Sequence, residues 1–188
     1  MNIIEHQENI MDQKHINMLC DHMSTLTFPW FILPRTGNYN QPESSYSLDD
    51  NKFSFAHTLV NERNVNSSEI WKFDKLLHEL YKRFNIDHKI YNIDRIRLGL
   101  ITKVSDVSLE HEKHIDFDHP HKTLLFYFND STGNTKFYSR DISDNNVSRE
   151  IQPKSNNAYL FDGTIYHSSS TPYTNNFRFV LNINIVEI

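Results

Sequence analysis

The sequence predicts a mainly β protein, a sandwich or jelly roll with α-helices packed on one sheet. Three observations predict it. The hydrophobic period changes near residue 90, from about 3.6 residues, the helical repeat, to about 2, the strand repeat. Beyond that point, short apolar segments follow at tight intervals, separated by turn-forming clusters at residues 129–134 and 143–146. Glycine numbers only 4, and neither G-x-G-x-x-G nor G-x-x-x-x-G-K occurs, which removes the main support for a nucleotide-binding α/β fold.

The elements follow in order. Over residues 8–23, Ile10, Met11, His15, Met18 and Leu19 stand close to helical spacing and predict an amphipathic helix. Residues 24–50 read as an irregular stretch with Pro29, Pro34, Gly37 and Pro42, and with the aromatic knot Phe28-Pro29-Trp30-Phe31 inside it. A loop of that length in a small domain is often functional or a lid. Residues 53–60 predict a strand. Ile70, Phe73, Leu77, Leu80 and Phe84 then fall on one helical face, with Ser67 or Ser68 as cap and Glu69 at the positive end of the dipole. Strands are predicted at 96–101, 124–128, 135–138, 158–161 and 179–185. In the last of these, Val180, Asn182 and Asn184 alternate with Leu181, Ile183 and Ile185. The chain reads as one domain over 1–188, with a helical and loop part to about residue 90 and a β-core from about 91 to 188.

Composition narrows the function classes. Hydrophobic residues make up 38% and charged residues 23%, as in a globular chain. The net charge is −5 and there is no Lys/Arg run, so no nucleic-acid partner is expected. The apolar runs are too short to cross a bilayer, so no membrane partner is expected either. The lone Cys20 forms no internal disulfide, and the opening residues are too polar for a secretion signal, so a reducing, cytoplasmic setting is expected.

The chemistry concentrates at residues 111–121, where four of the 11 histidines lie. In a strand, residues i and i+2 share a face, so His114 and Asp116 point together with Ile115 turned away. Asp118 is the rival carboxylate, but it would lie nearly 7 Å further along a strand than His114 (~3.3 Å per residue). His111, His119 and His121 are expected on a flanking turn or at the surface. A third ligand must come from a distant strand, and His167 is the candidate. Two imidazoles and a carboxylate form the facial triad of non-haem Fe(II) sites, which leaves coordination positions open. Arg178 follows His167 among β-forming residues, and a buried guanidinium there needs an anion, from the protein or from a dicarboxylate ligand. Zinc accepts the same three ligands, so a non-catalytic, cupin-like metal-binding module holding Zn or Fe is the alternative. Arg178 separates the two readings, since a structural zinc site has no use for it.

The ordered series His114, Asp116, Tyr127-Phe128-Asn129, Gly133-Asn134-Thr135-Lys136-Phe137, Pro153, Phe161, His167 and Arg178 resembles the 2-oxoglutarate/Fe(II)-dependent dioxygenase superfamily. It is most similar to the short prolyl-4-hydroxylase-like branch, which has phage and bacterial members, and the matching stretch runs from Ile96 to Ile185. The resemblance implies a double-stranded β-helix, a cupin-like jelly roll. It implies His114, Asp116 and His167 as iron ligands and Arg178 as the partner of the distal carboxylate of 2-oxoglutarate. The implied cofactors are Fe(II), 2-oxoglutarate and O2. The implied reaction is hydroxylation, with decarboxylation of 2-oxoglutarate to succinate and CO2, in a bacterial or phage-infected cell.

Two departures stand out. The branch commonly carries Gly-Gly before the Thr, where this chain has Gly133-Asn134. By register, a Tyr that often helps hold 2-oxoglutarate corresponds to Phe126, which leaves Thr135 or Lys136 as its polar substitute. The substrate is therefore read only as a small molecule or a peptidyl group. Its candidate contacts are Arg97, Tyr138, Arg140 and Trp30, with packing as the competing role of Trp30.

Overall fold

The computed structural model describes residues 4–34, 53–139 and 145–188. Among them are the helices α1 (Gln13–Met23) and α2 (Ile70–Arg83). The strands are β1 (Glu5–Glu8), β2 (Phe31–Leu33), β3 (Ser54–Asn61), β4 (Asn64–Val65), β5 (Tyr91–Thr102), β6 (Lys122–Tyr127), β7 (Thr135–Tyr138), β8 (Val147–Ile151), β9 (Asn157–Asp162), β10 (His167–Ser169) and β11 (Phe177–Glu187). No helix among the described residues is long and apolar enough to cross a membrane.

The first helix begins later than its periodicity suggests. Asp12 caps α1, its carboxylate accepting from the His15 N–H at 2.9 Å, and the chain before it is β1, not helix. Met18 is exposed, and the buried face is Ile16, Leu19 and Met23. The second helix buries Phe73, Leu76, Leu77 and Leu80, followed by Phe84. At its start the Ser67 hydroxyl accepts from the Glu69 N–H at 3.2 Å.

The strands form two antiparallel sheets, a jelly roll. The large sheet has the order β1-β9-β6-β11-β5-β3-β2, with β4 paired to β3; the small sheet has the order β10-β7-β8. Two isolated bridges, Glu110↔Ser170 and His114↔His167, tie the segment between β5 and β6 to the free side of β10.

The alternation along β11 creates two cores. Leu181, Ile183 and Ile185 pack with Leu98, Leu124 and Phe126 against both helices. The second core, with Leu125, Tyr127, Phe137, Tyr159 and Phe161, joins strands of the two sheets. Residues 123–127 of β6 are buried on both faces, which is why that strand reads as an unbroken apolar run.

The irregular stretch expected at 24–50 contains β2, and its part from residue 35 lies outside the described residues, as do residues 143 and 144 of the second predicted turn. The strands with no sequence signal, β1, β2, β4, β8 and β10, are short, and most are polar or exposed.

Candidate metal centre

Strands β6, β11 and β5 lie side by side, and their register stacks the side chains into rows. One row is Thr123–Asn184–Arg95, the next Leu125–Asn182–Arg97, the next Tyr127–Val180–Gly99, and beyond it Arg178 pairs with Ile101. These are the positions between the helix-facing ones, so they face the small sheet.

His114 and His167 are brought together by one rung of the ladder. Each donates its backbone N–H to the other's carbonyl at 2.9 Å, and the ring centroids are 4.6 Å apart. Their Nδ1–H groups donate to backbone carbonyls two residues back, His114 to Glu112 and His167 to Ile165, each at 3.0 Å. A carbonyl only accepts, so Nδ1 carries a proton in both rings and Nε2 is the nitrogen available to face a metal.

The regular strand expected through His114 and Asp116 does not form. His114 sits on a single bridge and Asp116 on a bend, so strand alternation is not what brings them together. Donors from the large sheet do that instead. Arg95 Nη2 donates to Asp116 Oδ1 at 2.7 Å; Asn184 Nδ2, Asn182 Nδ2 and Thr123 Oγ1 donate to Oδ2 at 2.9, 3.2 and 3.3 Å. The Asp116 side chain is only 4% exposed.

One ligand atom from each of His114, Asp116 and His167 lies within 4.8 Å of the others. Burial, aided by the neighbouring His167, pushes the His114 imidazole down to about 4, so it is neutral at physiological pH. Burial would raise the Asp116 carboxyl, but His167, Arg95 and His114 outweigh it and hold it below the usual carboxylate range. A neutral His114 imidazole and an ionised Asp116 carboxylate, with His167 Nε2 3.9 Å from Asp116 Oδ2, fit a divalent cation.

The triad opens onto a cavity of about 100 Å³, also lined by Thr135, Arg97 and Arg178. Arg178 is 2% exposed. It donates through Nη1 to the Gly133 carbonyl, while its Nε has no partner. Among the described residues no carboxylate pairs with it, and burial pushes the guanidinium below its ordinary value. A buried cation in that state fits an anionic ligand. Gly133 is required where it is: a Cβ there would lie 2.3 Å from the Ser170 carbonyl oxygen.

The other expected residues separate. Thr135 lines the cavity and accepts from the Tyr127 hydroxyl at 2.8 Å. Lys136 projects from the other side of β7 and pairs with Glu110 at 2.6 Å. Arg97 lines the cavity. Tyr138 does not; its hydroxyl bonds Glu110 and, at 2.9 Å, Ser168. Trp30 packs, stacking on Phe179 at 5.8 Å and donating Nε1 to the Met23 carbonyl at 2.9 Å. Arg140 lies outside the described residues. Asp118 and His119 are exposed, whereas His111 and His121, expected on a turn or at the surface, are buried. His111 Nδ1 bonds the Ser169 hydroxyl at 2.7 Å, and His121 Nδ1 donates to the His119 carbonyl at 2.8 Å.

Several residues of the site were not anticipated. Phe126, the register position of the absent tyrosine, points to the helices; Tyr127, one residue on, faces the second core beside Thr135. Strict alternation from Leu125 would have found it. Asn182, Asn184 and Thr123 are polar residues on strands with an apolar opposite face, and that alternation was their only signal.

The sequence matches no protein-family model and no curated protein. Solved structures do match its fold. A 2OG-Fe(II) oxygenase family oxidoreductase from Burkholderia pseudomallei aligns with TM-score 0.65 at 12% identity, covering 98% of this chain and 84% of that one. A viral collagen prolyl hydroxylase of Paramecium bursaria Chlorella virus-1, in a 2OG complex, aligns with TM-score 0.57 at 15% identity, covering 97% and 94%. A Trichoplax adhaerens prolyl hydroxylase, in complex with a hypoxia inducible factor peptide fragment, aligns with TM-score 0.59 at 15% identity, covering 98% and 83%. The chain therefore has the jelly-roll fold of the 2-oxoglutarate- and Fe(II)-dependent oxygenases.

Proposed function

We propose that the protein is a 2-oxoglutarate- and Fe(II)-dependent oxygenase that hydroxylates a small-molecule or peptidyl substrate. One observation carries the reading: a buried Arg178, with no carboxylate partner among the described residues, lines the same cavity as a His–Asp–His triad. A structural zinc site, the competing reading of the same ligands, leaves Arg178 without an anion.

In this reading His114, Asp116 and His167 hold the iron, and Arg178 takes the distal carboxylate of 2-oxoglutarate. Thr135 stands beside it. Because the Thr135 Oγ accepts from Tyr127, its own hydroxyl proton is available to an anion. When bound, iron and cosubstrate supply O2 activation coupled to decarboxylation of 2-oxoglutarate to succinate and CO2. The chain supplies orientation and charge. The two Nδ1 anchors keep both Nε2 atoms turned inward, and Arg95 with the two asparagines keeps Asp116 ionised and fixed. Leu125 and Val180 form an apolar wall that limits water.

The peptide fragment carried by the Trichoplax neighbour supports a peptidyl substrate as one of the two options. We treat residues 1–188 as one oxygenase domain whose helices brace the large sheet. A cytoplasmic setting is consistent with Cys20, whose thiol burial pushes up to about 11. The test is spectroscopic. Anaerobic protein mixed with Fe(II) and 2-oxoglutarate should develop the visible charge-transfer band of the chelate, and His114→Ala should abolish it. No band in the wild type, or a band that survives in the variant, would sink the reading.

A further inference from the structure

The small sheet carries a second cleft, on the face turned away from the metal. Thr135 of β7 lines the metal cavity, so its neighbour Lys136 projects from the opposite face, with Glu150 of β8 directly across from it. Together with Glu110, Asn134, Gln152 and Tyr173 they line a cavity of about 270 Å³, near the ~300 Å³ lower end of small-molecule sites. Among the described residues no Leu, Ile, Val, Met or Phe lines it, and the Tyr173 ring, 39% exposed, is its aromatic surface. The polar groups are already oriented by the chain. Asn134 Nδ2 donates to Glu150 Oε1 at 2.8 Å, and Gln152 Nε2 donates to the Ser131 carbonyl at 3.5 Å. A carboxylate and a carbonyl only accept, so these contacts fix which end of each amide is left over. Asn134 Oδ1, Gln152 Oε1 and Glu150 Oε2 have no donor among the described residues. Lys136 Nζ gives one N–H to Glu110 at 2.6 Å and keeps two more. Glu110 is filled by the chain, accepting from Tyr138 and Ser168 as well.

We propose that this cleft is a binding site for a neutral saccharide. Charge selects against ions of either sign. Glu150 faces Lys136 across the strands, so a cation at that carboxylate meets the ammonium, and an anion at the ammonium meets two carboxylates. A hydroxyl group is uncharged and both donates and accepts. The neighbouring hydroxyls of a sugar therefore match three open acceptors set beside the Lys136 donors, and the C–H face of its ring suits the Tyr173 ring. Because the amides are held by bonds within the chain, little of their freedom remains to be lost on binding. The cleft shares no lining residue with the metal cavity, so the inference stands apart from the oxygenase reading.

The test offers D-glucose, D-galactose, D-mannose and N-acetyl-D-glucosamine to the full chain, with saturation-transfer NMR as the readout. Each is offered as the free sugar and as its methyl glycoside, which separates a metabolite from the end of a glycan. At least one probe should bind the wild type. Glu150→Ala, Gln152→Leu and Tyr173→Ala, all at exposed positions, should each weaken that binding about threefold to tenfold while Mn(II) affinity stays at the wild-type value. D-Glucuronate and D-glucosamine, charged relatives of glucose, should bind more weakly than the neutral probe. Binding should also persist with Zn(II) and 2-oxoglutarate present, whereas displacement by them would put the sugar in the metal cavity and overturn the inference. It is equally overturned if no neutral probe binds, if the variants bind as tightly as the wild type, or if a charged relative binds more tightly than the neutral sugar.

Discussion

Two buried arginines serve the site, Arg95 on the metal ligand Asp116 and Arg178 on the cavity wall, and they are treated in opposite ways. Arg95 is buried against Asp116 at 2.7 Å, with Asn184 Oδ1 accepting from its Nε at 2.9 Å and the Phe117 ring 4.7 Å from its guanidinium carbon. Arg178 is buried more deeply, yet among the described residues it has one carbonyl partner and an orphaned Nε. An arginine whose counter-ion comes from the chain serves the architecture of the metal ligand. One whose counter-ion is missing marks where a ligand's charge belongs. Burial and residue type do not distinguish them; the partner inventory does.

Breaking the internal pair should have the largest effect on the protein alone. Arg95→Met leaves Asp116 buried without its cation and should cost the metal-free protein about 3–5 kcal/mol in urea denaturation. Arg178→Met removes a cation that has no partner acid among the described residues, and should change metal-free stability by no more than about 1 kcal/mol. Equal losses in the two variants would erase the contrast.

Acid tests the metal ligands more gently. The His114 pKa falls from 6.5 to about 4 on folding. A depressed folded value means that the unfolded chain takes up the proton first. The stabilisation is therefore complete above pH 6.5 and is lost progressively as pH falls towards 4, a change on the order of 3 kcal/mol. Asp116, also depressed, continues the loss below its own unfolded value of 3.8. Thermal melts of wild type and His114→Gln across this window should converge at the acid end; parallel profiles would contradict a buried neutral imidazole.

On the cavity wall, Arg178→Met should weaken 2-oxoglutarate binding about a hundredfold while leaving Mn(II) affinity nearly unchanged, as read by calorimetry. Equal loss of both would remove the division of labour between the arginines. The smallest expected effect belongs to Tyr127→Phe, which frees Thr135 from its donor. It should weaken 2-oxoglutarate binding by about 1 kcal/mol, and no change would limit Tyr127 to packing.

The legible parts of the molecule were those where one physical signal dominates. The stripe of Phe73, Leu77 and Leu80 announces α2, and the Leu181, Ile183 and Ile185 alternation announces the buried face of β11. The triad residues were legible by type and order, and the structure brings them together, but by a different route. A bend and four sheet donors, not strand alternation, position Asp116, and that depends on residues such as Arg95 and Asn184 that are remote in sequence. Short polar strands such as β10 leave no periodic trace, because three residues are fewer than two full alternations. The histidines at 111 and 121 were misplaced for a related reason: a buried histidine and a surface one look alike until a partner such as Ser169 is known.

The rung that joins His114 to His167 has a consequence for how the chain acquires its metal. Closing it brings together two segments with all of β6 to β9 between them, so it is a non-local contact. Such contacts form late, after local helices and hairpins have reduced the loop-closure entropy. With Arg95 already compensating Asp116, the metal is not needed to drive that closure. A metal would then be captured after folding, and a chain made under metal starvation is expected to wait as a folded apoprotein.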